Sequence, residues 1–320
     1  MVNWGDCVSF SSNVKEELSK LPVSGYEIVL AELSGLVPMC GILSYNNGKI
    51  FLEFNTENPS LTRRVFTFLR RYFDFNCEVR NVKSKQLKKN LYTISLDENS
   101  SKVLLDEIKF LKGENVFTRN YKPSNLTQDV LGKKAYIRGS FLGAGIVVDP
   151  KKSYHLEFVC NNLEHAQFLR DNINYFNLGA KIVSRKDNLI IYLKDAQSIS
   201  DILSLMGAHN SLLDFENTRV IKDMRNNVNR IVNCESYNIN KIVKTSYNQV
   251  QNILYIKEHL GLDKISDDLR EICLIRLKHR DISLGEIGKM LKPPLSKSTI
   301  NYRFKKINNI ANKLRGDLND

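Results

Sequence analysis

Two segments, Leu33 to Gly41 and Ile137 to Gly145, constrain the fold of this chain more than any other feature. They read Leu-Ser-Gly-Leu-Val-Pro-Met-Cys-Gly and Ile-Arg-Gly-Ser-Phe-Leu-Gly-Ala-Gly, with glycine at the third and ninth positions and mostly apolar or small residues between. Without a Cβ, backbones can nearly touch at such glycines, and the apolar filling makes the contact a domain centre. Taken together the two segments predict a helix pair about a pseudo-twofold axis; taken singly they are two unrelated buried helix ends. Their flanks decide between these readings.

After Gly41, the runs Ile42–Tyr45 and Lys49–Asn55 alternate in hydropathy around Asn46-Asn47-Gly48, a hairpin turn because asparagine and glycine tolerate positive φ. A helix is expected from about Pro59, with Val65, Phe66, Leu69 and Tyr72 on one face. Strands Cys77–Val82 and Asn90–Leu96 follow around Lys83-Ser84-Lys85, and Lys102–Leu111 closes the unit as a helix. After Gly145 the order returns. Strands Ile146–Val148 and Ser153–Cys160 flank Asp149-Pro150, a helix spans Leu163–Phe176, strands Lys181–Ser184 and Asn188–Leu193 flank Lys186-Asp187, and a helix covers Ser198–Met206. Leu52-Glu53-Phe54 and Leu156-Glu157-Phe158 stand at the same distance after each ninth-position glycine. Such coincidence predicts an α+β fold with a duplicated α/β/β/α/β/β/α core. Ahead of it, Ser12–Ser19 reads as a helix start capped by Ser12 or Asn13, and a second helix is expected from about Ser24.

This pattern resembles the monomeric LAGLIDADG homing endonucleases over about Tyr26 to Met206. The resemblance implies two saddle-shaped sheets and, in those enzymes, an acid at the eighth position of each motif to hold divalent ions. Here the eighth positions are Cys40 and Ala144 and the sixth are Pro38 and Leu142. A thiol and a methyl group do not supply the oxygen ligands that Mg²⁺ needs. No catalytic residue, metal or cofactor is therefore expected. A nuclease with nonstandard ligands would have to use Glu53 and Glu157, which alternation puts opposite the apolar face of each strand; the plainer reading of both is a solvated strand carboxylate. Acids on that face repel phosphates, so the saddle is expected to bind DNA weakly.

After the polar break Gly207–Ser211, Leu212–Val232 reads as a helix, and Asn233–Asn240 as a second break and candidate hinge. Helices at Ser246–Leu260, Ser266–Lys278, Ser283–Leu291 and Ser296–Leu314 then make a small all-helical domain. In the last of them, Ile300, Phe304 and Ile307 form the inward stripe. Lys297, Ser298, Thr299, Asn301, Tyr302, Arg303, Lys305 and Lys306 point away from it and are the candidate DNA-binding residues. From Lys292 to Arg315 there are seven basic residues and no acid. A cationic helix with hydroxyls and an amide suits the major groove, with lysines reaching phosphates; a merely solvated amphipathic helix is the competing reading. The last two helices resemble the helix-turn-helix of sigma-factor region four, with the usual glycine turn replaced by Lys292-Pro293-Pro294-Leu295.

The pairing of a duplicated, acid-free core with a helix-turn-helix resembles the WhiA family of bacterial transcriptional regulators. The likeness covers essentially the whole chain and rests further on Ser9-Phe10-Ser11-Ser12-Asn13-Val14-Lys15-Glu16-Glu17-Leu18, Asn229-Arg230-Ile231-Val232-Asn233-Cys234-Glu235 and Pro293-Pro294-Leu295-Ser296-Lys297-Ser298. At Asn301-Tyr302-Arg303-Phe304 the family more often has histidine and leucine at the second and fourth places. The implied function is a sequence-specific DNA-binding regulator, not an enzyme, tied to sporulation, cell division or chromosome segregation. Its partner is double-stranded DNA, with a second protein, transcription machinery or a co-regulator, on the core surface; a ligand- or partner-sensing core that controls the helix-turn-helix is a further reading. The net charge of +12 and pI near 9.3 agree with a polyanionic partner.

Six cysteines without a Cys-x-x-Cys pair indicate neither a zinc site nor a disulfide framework. The N-terminus lacks the pattern of a leader, and the longest apolar run, Phe141–Val148, is too short to span a bilayer, so a cytoplasmic, nucleoid-associated protein without a membrane partner is expected. The expected organisation is an N-terminal helix (1–25), repeat one (26–112), a linker (113–134), repeat two (135–207), a connecting helix and hinge (208–243) and the helix-turn-helix domain (244–320).

Overall fold

The computed structural model describes residues 9–83, 90–111 and 121–316. The expected Lys83-Ser84-Lys85 turn, most of the first half of the linker and the N-terminal segment with Cys7 lie outside the described residues. The chain divides into two units between Lys222 and Asp223.

The first unit holds both repeats. Helix α1 (Phe10–Lys20) begins one turn earlier than expected, because Ser9, not Ser12 or Asn13, caps it: Ser9 Oγ accepts from the Ser12 amide at 3.1 Å. Repeat one then runs α2 (Tyr26–Cys40), β1 (Gly41–Asn46), β2 (Lys49–Thr56), α3 (Pro59–Phe73), β3 (Cys77–Lys83), β4 (Asn90–Leu96) and α4 (Glu98–Glu107). Helix α4 starts four residues before the expected Lys102, since Asp97 caps it on the Ser100 amide. Repeat two runs α5 (Val130–Ala144), β5 (Gly145–Val147), β6 (Leu156–Cys160), α6 (Leu163–Asn174), β7 (Lys181–Arg185), β8 (Asn188–Leu193) and α7 (Ala196–Met206).

The two antiparallel sheets have the same strand order, β1-β2-β4-β3 and β5-β6-β8-β7. Their registers match as well: Gly41 faces Phe54 and Ile42 faces Glu53, as Gly145 faces Phe158 and Ile146 faces Glu157. Leu52, Phe54, Leu156 and Phe158 are buried, which leaves Glu53 and Glu157 on the opposite faces, as period-two alternation requires.

Helices α2 and α5 pack along each other at the centre. A Cβ on Gly35 would run into the Tyr136 carbonyl oxygen, and one on Gly139 into the Glu32 carbonyl oxygen. Each third-position glycine therefore meets the residue just before the other motif, which is the expected pseudo-twofold contact in atomic terms. Every residue from Val29 to Val37 is buried, so this helix is surrounded and carries no polar face.

Into this apolar pair the chain inserts charge. Glu32 Oε2 accepts from Arg64 Nη2 at 2.9 Å and from Arg138 Nε at 2.8 Å, Arg64 Nε also binds Glu32 Oε1, and Arg64 Nη1 donates to the Leu21 carbonyl at 2.6 Å. Glu32 is 2 % exposed and Arg64 6 %. Burial on this scale is tolerable only because each charge is paired and hydrogen-bonded.

Helix α8 spans His209–His259 without interruption. The hinge expected at Asn233–Asn240 is absent. That stretch is rich in asparagine but contains neither proline nor glycine, and asparagine weakens a helix without ending it. The second unit thus starts within α8 rather than at residue 244. It continues with α9 (Asp267–Lys278), α10 (Leu284–Met290) and α11 (Lys297–Gly316). Ile253, Ile256, Leu269, Ile272, Ile287, Ile300, Phe304 and Ile307 form its core.

Candidate nucleic-acid interface

Helix α10 begins at a capping box, with the Ser283 amide donating to Glu286 Oε2 at 2.7 Å and the Glu286 amide to Ser283 Oγ at 3.3 Å. The connection to α11 is drawn tight at Gly288, where a Cβ would collide with the Leu295 carbonyl oxygen; the Leu295 amide in turn donates to the Gly288 carbonyl at 2.9 Å. Ile300, Phe304 and Ile307 lie inward and fully packed, as expected.

Of the eight candidate DNA-binding residues, Lys297, Ser298, Asn301, Tyr302, Lys305 and Lys306 are exposed on α11. Tyr302 is 59 % exposed, and Lys306 Nζ stands 4.9 Å from its ring centroid. Two depart from the expectation. The Thr299 hydroxyl is half-buried and bonded to Ser296 Oγ at 2.9 Å, the atom that caps the helix. Arg303 turns aside onto the start of α9, its Nη1 donating to the Asp268 carbonyl at 3.3 Å and its Nε 3.5 Å from Asp268 Oδ2. Arg303 flanks the buried stripe, and it is the acid at the start of α9 that draws its guanidinium there, which spacing alone does not reveal. The Asp268 carboxyl is held below the usual carboxylate range, chiefly by the Ser266 hydroxyl and further by the Arg303 guanidinium.

Arg276 was not expected to matter. It is 1 % exposed, donates from Nη1 to the Ile282 carbonyl at 2.7 Å and to the His279 and Arg280 carbonyls at 3.3 Å, and lies 5.6 Å from the Phe304 ring centroid. It thereby ties the α9–α10 connection to α11. Its position in phase with Leu269, Ile272 and Cys273 was the available signal.

The degenerate motif positions lie at the ends of the central helices. Pro38 stands inside α2 and Cys40 is its last residue, with Sγ donating to the Leu36 carbonyl at 3.6 Å. Leu142 is buried in α5 and Ala144 is its last residue. Burial pushes the Cys40 thiol up to about 12, against the opposing pull of the Lys15 ammonium nearby. A neutral thiol, a methyl group and an adjacent ammonium do not fit the divalent cations of the homing endonucleases. The strand glutamates are engaged elsewhere: Ser95 Oγ donates to Glu53 Oε1 at 2.8 Å, and His155 Nε2 is 2.9 Å from Glu157 Oε2. Among the described residues no three His, Cys, Asp or Glu side chains gather as a metal site. No helix among them is long and apolar enough to cross a membrane.

Three family models match successive stretches that together make up about four-fifths of the chain. Residues 28–111 match the WhiA N-terminal LAGLIDADG-like domain, 133–225 the WhiA LAGLIDADG-like domain and 228–311 the WhiA C-terminal HTH domain. A protein of Alkaliphilus metalliredigens named probable cell division protein WhiA is 43 % identical over 97 % of this chain and 99 % of its own length. One of the same name from Clostridium acetobutylicum is 42 % identical over 96 % of this chain and 99 % of its own length. The crystal structure of full-length DUF199/WhiA from Thermotoga maritima aligns with TM-score 0.58 at 26 % identity, covering 95 % of this chain and 98 % of that one. With the duplicated core, the acid-free motif ends and the terminal helix-turn-helix all accounted for, the chain belongs to the WhiA family.

Proposed function

We propose that the protein is a sequence-specific DNA-binding transcriptional regulator without nuclease activity, acting in cell division. The observation that carries this is α11: Lys297, Asn301, Tyr302, Lys305 and Lys306 form one exposed face, on a segment with no acid from Lys292 to Arg315. Lysines at its flanks neutralise phosphates while Asn301 and Ser298 are of the types that read base edges. The assignment to cell division rests on the name shared by the relatives above. The core is a scaffold, and Ile42 and Ile146, each more than two-fifths exposed and paired across the strands with Glu53 and Glu157, favour a protein partner there over DNA.

The test is binding of the full chain to genomic fragments over a range of salt. The Lys305→Ala/Lys306→Ala variant is expected to lose about tenfold or more in affinity, with a salt slope shallower by about two, near 0.9 for each phosphate contact removed. Unchanged affinity and slope reject the reading of α11. Incubation with supercoiled DNA and Mg²⁺ addresses the core, since cleavage abolished by Glu53→Ala or Glu157→Ala would make it a nuclease.

A further inference from the structure

Beside the end of the second motif helix, α5, lies a cavity of about 1110 Å³, large enough for a nucleotide-sized molecule. Two helices begin on it. Ser9 and Ser12 from the start of α1, and Asn58 and Ser60 from the start of α3, line one side, and neither helix has an acid in its first turn. Leu142, Gly143 and Ile146 form an apolar side, of which Ile146 is 43 % exposed. The positive ends of two helix dipoles thus share one polar hollow.

Helix ends alone do not make a site; Lys15 does. It lines the cavity one turn into α1, and its ammonium has no hydrogen bond or ion pair among the described residues; the neutral Cys40 thiol is close to it, and the Phe141 ring centroid lies 6.0 Å away. Burial lowers its pKa to about 8, so at neutral pH it remains mostly a charged group without a counter-ion. An unpaired ammonium on a partly buried side chain is costly, and the cost is relieved by an anion. The carboxylates at the rim do not answer this need, because Glu16 is held by Lys20 at 2.6 Å and Glu57 is engaged as well. Arg63 supplies a second cation to the lining.

We propose that this cavity binds a phosphate-bearing small molecule, its anionic group against Lys15 and the starts of α1 and α3, and its less polar part against Leu142, Gly143 and Ile146. The site goes beyond the DNA-binding reading and does not depend on it. In place of the metal-holding acids of the homing endonucleases, the core then carries a fixed cation that selects an anionic ligand.

Titration calorimetry of the full chain with inorganic phosphate, pyrophosphate, ATP and phosphate-free adenosine, at matched ionic strength and without DNA, tests the proposal. The phosphate-bearing probes are expected to bind and adenosine not. Lys15→Met should weaken the best probe about tenfold or more, the loss of a charge-assisted contact, and Lys15→Arg should restore most of it. Lys305→Ala/Lys306→Ala should leave binding unchanged. Absence of binding by every phosphate-bearing probe, equal binding by Lys15→Met, or loss confined to the α11 variant overturns the proposal. Hydrogen exchange on the unmodified protein gives a second readout should Lys15→Met fold poorly: the best probe should protect amides near residues 9–16 and 58–63. Protection there by a DNA duplex and not by ATP would assign the cavity to DNA phosphates and overturn the small-molecule reading.

Discussion

In the core, Glu32, Arg64 and Arg138 are packed against one another out of water, whereas in the helical unit Lys297, Lys305 and Lys306 are exposed and form no ion pair among the described residues. The same chemical groups serve opposite ends. Buried charge holds α2, α3 and α5 in one arrangement, because breaking any one contact strands the others. Exposed charge is left free for a polyanion, since water and counter-ions surround it until phosphates displace them. Net charge alone therefore says little about where DNA binds; what matters is which cations have already been neutralised by the fold.

The largest expected effect comes from breaking the buried network. Glu32→Ala leaves two guanidinium groups without a carboxylate and should destabilise the core by about 3–5 kcal/mol. Arg276→Met removes the helical unit's own buried cation, but this one is held through Nη1 by carbonyls rather than by a carboxylate, and its Nε has no partner, so a smaller loss of about 1–3 kcal/mol is expected. Hydrogen exchange resolved by segment would separate the two, and equal losses would end the distinction between ion-paired and carbonyl-bound burial.

A pH effect of intermediate size belongs to the core. His165 is 3 % exposed, its Nδ1 lies 3.2 Å from the Tyr136 hydroxyl, and burial lowers its pKa to about 4. The unfolded chain takes up a proton near pH 6.5 and the folded chain does not, so this neutral histidine's contribution is fully present above about pH 6.5 and is lost progressively as pH falls toward 4. The loss should reach about 3 kcal/mol by pH 4. Urea unfolding of the core at pH 7, 5.5 and 4.5 checks it. A pH dependence unchanged in His165→Gln would place the effect elsewhere.

The repeats were legible because two period-specific signals, glycines at fixed positions and Leu-Glu-Phe on alternating strands, survive in the letters themselves. The matching registers of Gly41 with Phe54 and Gly145 with Phe158 follow from them. What the letters concealed was tertiary. Glu32 and Arg64 read as surface residues until their pairing is seen, and Arg276 likewise. The Asn233–Asn240 stretch looked like a hinge because its composition is polar, yet helix hydrogen bonding continues wherever no proline or glycine interrupts it. In α11, spacing separated inside from outside correctly but could not tell Lys305, which faces water, from Arg303, which lies against α9.

That last difference yields the smallest and most discriminating prediction. Asp268 sits at the start of α9 and draws Arg303 sideways, and the pair is exposed enough to contribute no more than about 1 kcal/mol. If Arg303 only braces α11 against α9, Asp268→Asn removes a negative charge from the DNA-facing unit, and DNA affinity should rise about two- to threefold at low salt without change of preferred sequence. If Asp268 instead holds the guanidinium in position for a base, the same substitution should lower affinity for the preferred site more than for unrelated DNA. Measuring both affinities at two salt concentrations distinguishes the cases, because a change in general charge fades with added salt and a change in base readout does not.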